Sequence, residues 1–287
     1  MYEIVKNYRN DEHLRRSFNA LAEKTFGLNF ENWYQLGYWG DNYNPYSLVM
    51  DGEVVANVSL NRTDMVIGGE RKRVYQLGTV MTAEEHRNKG FIRAIMAEIE
   101  KDTADADGVY LFGNDNVVEF YPKFGFVPDR EFVWERDVAQ KGPCTMARVM
   151  MDSAENRDRF AAAMAESTFP AACHMVDNPG LIFFYVAQFM QDCVYYSEAL
   201  DAWAIAEIED GEMTLHNVFS TRDISLDEVI AAFGTEVRHV TLGFSPADTA
   251  GFTCREWKEE DCNFFTKGPA FAGFTQKKLR IPTLSHA

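Results

Sequence analysis

The chain has 287 residues, 46% hydrophobic and 14% aromatic, which is enough apolar side chain for a packed interior and too much for a disordered segment. Its formal net charge of −16 at pH 7 would repel a polyanion, so no nucleic-acid partner is expected. No apolar run approaches the roughly 18 residues of a membrane-spanning helix, and the longest, Leu181–Ala187, is soon followed by Asp192, so no membrane partner is expected either.

The first ten residues lack the apolar core of a signal peptide, and the five cysteines show no CxxC spacing. Both features point to the cytoplasm, with the cysteines as reduced thiols rather than metal ligands. In chain order, Leu14, Phe18, Leu21, Ala22 and Thr25 share a helical spacing, which predicts a helix over 14–30. An aromatic segment from Trp33 to Tyr46 follows. It offers faces for a cationic amine, although aromatics at this density more often pack against a sheet. Ser47–Met50 and Glu53–Leu60 flank Asp51-Gly52 as a hairpin, and Gly68-Gly69 turns the chain into a strand over 73–81.

The period then changes, with Ile92, Ile95, Met96 and Ile99 falling on one helical face. A buried strand over 109–112, a short helix over 117–123 and an extended stretch over 126–138 complete the first half. Gln140–Cys144 punctuates the chain, giving an expected first domain over 1–138, a linker over 139–146 and a second domain over 147–287. The second half predicts helices over 154–166 and 179–191, strands over 194–196, 202–207 and 213–219, a helix opened by the Ser225–Glu228 capping box, a strand over 237–244, and at least one more strand in the 271–284 tail. It repeats the order of the first half without a glycine-bearing basic loop. The expected fold is α+β, a mixed and mostly antiparallel sheet flanked by helices, in two tandem copies.

The chemistry concentrates between Arg73 and Ala97. A helix N-terminus leaves main-chain N–H groups free and presents the positive end of the dipole, so it suits phosphate. Here it is preceded by Arg87, Asn88, Lys89 and Gly90, with Gly90 permitting close main-chain approach. Gly78, inside a strand, implies a bulge or a neighbouring ligand. By spacing alone, a pyrophosphate cradle and an ordinary strand-to-helix turn are evenly matched.

The segment Val80–Ile92 resembles the cofactor signature of the GNAT acetyltransferases, Gln/Arg-x-x-Gly-x-Gly/Ala, with Arg87 and Gly90 matching and Ile92 standing where the family usually has a small residue. Glu119–Phe126 is similar to the family's later Phe-Tyr-x-x-x-Gly-Phe motif. The resemblance implies an acyl-CoA N-acyltransferase fold and acetyl-coenzyme A (acetyl-CoA) as cosubstrate. It implies main-chain groups of Val80 and Met81 on the pantetheine and thioester, the segment Asn88, Lys89, Gly90, Phe91, Ile92 and Arg93 on pyrophosphate, Asn114 on the cofactor arm, and Tyr121 as general acid. Tandem members that place a terminal carboxylate near the active site suggest Ala287 as base, with neighbouring His286 as an alternative; Glu84, Glu85 and His86 are weaker candidates. The expected acceptor is a primary amine on a small molecule, with a protein lysine and a homo-oligomer left open. The second half would be a degenerate GNAT-like copy. A rival reading is a non-catalytic sensor that binds acyl-CoA.

Overall fold

The computed structural model describes residues 2–138 and 142–286. After β1 (Tyr2–Lys6), the Asp11 side chain accepts from the Leu14 N–H and opens α1 (Glu12–Phe26), which Gly27 ends in a left-handed conformation. A short α2 (Glu31–Gln35) precedes β2 (Tyr43–Met50), β3 (Glu53–Arg62), the small hairpin β4 (Met65–Ile67) and β5 (Glu70–Lys72), and β6 (Val74–Thr82). Next come α3 (Phe91–Asp102), β7 (Gly108–Gly113), β8 (Val127–Pro128) and β9 (Glu131–Asp137). The second half contains β10 (Ala147–Arg148), α4 (Ala154–Glu166), β11 (Ala171–Met175), α5 (Pro179–Val186), β12 (Val194–Ser197), β13 (Ala202–Glu209) and β14 (Glu212–Ser220). It finishes with α6 (Leu226–Ala231), β15 (His239–Leu242), β16 (Ser245–Pro246), β17 (Thr253–Trp257) and β18 (Asn263–Lys267).

Two seven-stranded sheets share one plan. The first runs β1-β2-β3-β6-β7-β18-β8 and the second β10-β12-β13-β14-β15-β9-β17. Each is antiparallel except for one parallel pair, β6 with β7 and β14 with β15, and in each pair a helix (α3 or α6) makes the crossover. The α+β expectation holds.

The two halves also exchange strands. β9, which precedes the expected linker over 139–146, sits between β15 and β17 in the second sheet, while β18 fills the place between β7 and β8 in the first. The linker therefore marks an order along the chain but not the membership of the sheets. A third, four-stranded sheet, β16-β11-β4-β5, pairs Cys173 with Ile67 and joins the halves again.

Three local expectations change. The first helix stops at Phe26, because Gly27 caps it, and a separate turn forms α2. The helix expected over 179–191 stops at Val186, where the N–H groups of Gln188, Phe189 and Met190 all converge on the Tyr185 carbonyl in a tight turn. The tail over 271–284 is not a strand. Pro269, Gly273 and Pro282 interrupt any ladder, and its strand partners come earlier, as β17 and β18.

Alternation along the strands gives the first sheet two covered faces. Leu48 and Val80 face the side packed by Ile95, Met96 and Ile99 of α3, whereas Val49 and Met81 face Phe18, Leu21 and Ala22 of α1. On the α1 side, Trp33, Trp39 and Tyr43 are buried against Phe18, Phe30 and Phe184. The aromatic segment thus packs, as its density suggested, and does not form a pocket wall.

Candidate active site

The site begins where two strands part. β6 and β7 are bonded from Val74–Gly108 to Leu77–Leu111, and beyond that point they are no longer paired. A bulge accompanies the divergence, since Asn57 pairs with Met81 but Ser59 pairs with Gly78, leaving Thr79 and Val80 out of register. Thr79 has φ +46°, a conformation that a β-branched residue rarely adopts. A buried polar chain holds it there. The Asn57 Nδ2 donates to the Thr79 carbonyl at 2.9 Å, the Tyr43 hydroxyl meets the Thr79 hydroxyl at 2.6 Å, and Ser47 donates to the Asn57 Oδ1 at 2.8 Å. The bulge that Gly78 implied is present, but the side chains that fix it were not anticipated. Their signal was available, as Asn57, Ser59 and Asn61 put polar groups on one face of a strand that is otherwise apolar and buried between its charged ends, Glu53 and Arg62.

A cavity of about 750 Å³ occupies the gap and passes from one face of the sheet to the other. On the α3 side its walls include Val80, Ile92, Val117, Phe120 and Tyr121; on the α1 side they include Leu28, Phe30, Phe184 and Tyr185, with Phe26 and Phe189 on the same wall. The α5 contribution comes from the apolar run 181–187, whose lack of a polar face is the sign of a helix buried all round.

Tyr121 lies across the end of β7. A Cβ at Gly113 would stand 2.9 Å from its ring, so glycine there permits this close approach. The ring is buried, and burial pushes its phenol up to about 12, keeping it protonated at neutral pH. Its hydroxyl makes no hydrogen bond among the described residues. Asn114 also lines the cavity, with its side chain accepting from the Asn116 N–H at 3.2 Å.

The chain tail reaches the same cavity. The Tyr110 hydroxyl donates to the Ser285 carbonyl and the Tyr185 hydroxyl to the His286 carbonyl, both at 2.6 Å. The His286 ring stacks on Phe112 at 3.9 Å between centroids, and its Nε2 is buried without a partner among the described residues. Burial first, and Arg280 second, depress its pKa to about 3, so the imidazole is neutral. Ala287 lies outside the described residues.

Outside the cavity proper, the loop before α3 places Asn88 at φ +61° and Gly90 at φ +79°. These left-handed turns lead into a helix whose first turn has neither a side-chain cap nor an acidic residue, so its N–H groups are unclaimed. Nothing lies within 4 Å of where a Gly90 Cβ would be. The side chains of Arg87, Lys89 and Arg93 are exposed, with Arg87 3.7 Å from Glu84 and Lys89 3.2 Å from His86. Phe91 stacks on His86. Glu84, Glu85 and His86 remain on this outer loop and do not enter the cavity. The Met81 side chain turns away into the α1 core, leaving only its main chain on this edge.

The second sheet repeats the divergence, as β14 and β15 pair only as far as Leu215–Leu242. A cavity of about 530 Å³ opens there beside Val218, Phe219 and Phe244. Its helix offers no phosphate cradle. The Glu228 N–H donates to the Ser225 hydroxyl, the Glu228 carboxylate accepts from the Ser225 N–H, and Asp227 adds a second negative charge.

A parallel pair opens beside an uncapped helix N-terminus, and sequence comparison adds a family match over part of the chain. Residues 11–128 match the model of the Acetyltransferase (GNAT) domain, and this match supports an acyltransferase. Solved structures share the whole two-sheet fold. A probable N-acyltransferase from Enterococcus faecalis aligns with 96% of this chain and 75% of its own, at 15% identity and a TM-score of 0.65. A GCN5-related N-acetyltransferase from Kribbella flavida aligns with 94% of this chain and 72% of its own (14% identity, TM-score 0.58), and one from Anabaena variabilis with 93% and 72% (14% identity, TM-score 0.55). At these identities the likeness is one of fold. No curated protein sequence matches the chain at a significant level.

Proposed function

We propose that the protein transfers an acetyl group from acetyl-CoA directly to a primary amine, within a ternary complex assembled across the first sheet. The observation that carries this reading is the cavity running through the β6–β7 divergence, with Tyr121 on its α3 side and Tyr185 and His286 of the second half closing it. The cosubstrate fits the residues present. The N–H groups at the start of α3 and the turns at Asn88 and Gly90 suit pyrophosphate, with Arg87 and Lys89 adding positive charge. The unpaired edge of β6 at Thr79–Met81 suits an extended amide chain, and Asn114 faces the same space.

When bound, acetyl-CoA supplies a thioester whose carbonyl carbon is attacked by nitrogen. The neutral amine forms the N–C bond as the C–S bond breaks, the Tyr121 phenol donates its proton to the departing sulfur, and the proton released from nitrogen returns through water to the Tyr121 oxygen, restoring the phenol. Because the described cavity walls carry no charge, the neutral amine is favoured inside and its proton is shed to solvent on entry. His286 is held neutral and resists protonation, so in this scheme it accepts a hydrogen bond from the amine without retaining its proton. The second half, in this reading a degenerate copy of the same layer, shapes the acceptor side and has no phosphate cradle of its own.

Calorimetric titration of acetyl-CoA into wild type and an Arg87→Ala, Gly90→Glu double variant tests the donor half. A thiol-release assay over an amine panel tests the transfer. Binding lost in the variant, with thiol release from wild type, is the expected result. Binding without release from any amine would instead leave an acyl-CoA-binding sensor.

A further inference from the structure

We infer that the acceptor is a small amine with a single amino group on an apolar, aromatic-sized body, and that polyamines and other polycations are poor substrates. This deepens the acetyl-transfer reading and rests on it. The chain carries 44 Asp and Glu residues, yet none lines the through-sheet cavity among the described residues. The acceptor side is walled by Leu28, Phe30, Phe184 and Tyr185, and by Phe26 and Phe189, which are 47% and 57% exposed. Polar groups inside are neutral, namely Gln76, Thr79, Asn114, Tyr121, Tyr185 and His286.

Charge decides between amine classes here. A substrate with one ammonium can enter as the neutral amine, and its apolar body then replaces water against aromatic and aliphatic side chains. A diamine or polyamine must bring further ammonium groups past the same walls, where no carboxylate of the described residues compensates their lost hydration. Cation–π contact with the rings offsets only part of that loss. The acidity of the protein belongs to its surface and draws cations of every kind, so it does not select among them inside the cavity. Phe26 and Phe189 also give the site an apolar wall that reaches the surface, suited to the outer end of a substrate body too long to be enclosed.

The test compares kcat/KM for 2-phenylethylamine, 1,5-diaminopentane and spermidine at saturating acetyl-CoA, in wild type and in Phe189→Glu. Residue 189 is exposed, so the variant is expected to fold, and circular dichroism checks that it does. The expected result is a wild-type preference of about a hundredfold for the aryl amine over both polycations, reduced about tenfold or more in Phe189→Glu. Equal or better turnover of the polycations by wild type overturns the inference while leaving acetyl transfer intact. A preference unchanged by Phe189→Glu also overturns it, because the uncharged wall would not be its source. Acetyl-CoA binding with no transfer to any amine overturns the transferase reading and this inference with it.

Discussion

The Tyr185 hydroxyl, on a helix of the second half, donates to the His286 main-chain carbonyl at 2.6 Å, and both residues face the cavity that opens in the first sheet. His286 is thus fixed by a half-buried side chain 101 positions away. Tyr185→Phe removes the donor and leaves a carbonyl short of its partner, a loss of about 1–3 kcal/mol. Urea denaturation should show that loss. As a positioning residue Tyr185 should also raise the amine KM while leaving acetyl-CoA affinity unchanged; an unaltered amine KM would separate the tail from the acceptor site.

Tyr121 makes a different kind of prediction, because in the proposed reaction its phenol protonates the departing sulfur. Tyr121→Phe should lower kcat by about a hundredfold or more, with little change in acetyl-CoA affinity. The pH profile supplies the second readout. A proton donor acts only below its own pKa, and burial holds this phenol up to about 12. The wild-type rate should therefore rise as the amine deprotonates and then stay level through pH 10. A descending limb at lower pH would assign the proton to another group.

Local patterns revealed the α3 side of the cavity, whereas long-range pairing concealed most of its α1 side. Gly90 and the Ile92–Ile99 face lie on one continuous segment, so the left-handed turn and the helix after it were legible, and the motif that carries Tyr121 is equally local. Strand exchange was not legible. Phe264 and Phe265 look like any buried strand, and nothing within β18 states that its neighbours are β7 and β8 rather than strands of its own half. The contributions of Phe184 and Tyr185 were hidden for the same reason, since each reaches the cavity only after the two halves interlock, whereas His286 was named only through the family resemblance. The bulge at Thr79 was visible through Gly78, but the Asn57 and Tyr43 hydrogen bonds that hold it depend on strand register.

Glu131 links that interlocking to pH. It is the first residue of β9 and accepts from the Ile281 N–H at 2.8 Å, anchoring the tail that leads to His286. Burial raises its pKa from 4.5 to about 7, against the opposing pull of Arg280, while Glu259 and Asp129 push in the same direction as burial. Between those two values the folded state keeps a proton that the unfolded chain has lost. The contribution to stability is therefore full below about pH 4.5 and is lost as pH rises through 7, amounting to about 3 kcal/mol at most. Glu131→Gln keeps the acceptor oxygen without the charge. Its urea midpoint should exceed that of wild type at pH 8 and approach it at pH 5; equal differences at both pH values would mean that Glu131 ionises normally.

Gly90 allows conformation and steric room to be separated. Its φ of +79° penalises any side chain with a Cβ, but the space before it is open, so bulk alone is not the obstacle. Asparagine tolerates the left-handed region, as Asn88 already does two residues earlier, whereas alanine resists it by roughly 1–2 kcal/mol. Gly90→Asn should consequently bind acetyl-CoA much as wild type does, and Gly90→Ala about tenfold more weakly, because relaxing the turn swings the first N–H groups of α3 away from the phosphates. Calorimetric titration of both variants gives the comparison. If alanine and asparagine bind alike and weakly, the side chain obstructs the ligand directly. If both bind like wild type, the pyrophosphate is held elsewhere and the turn before α3 serves only to start the helix.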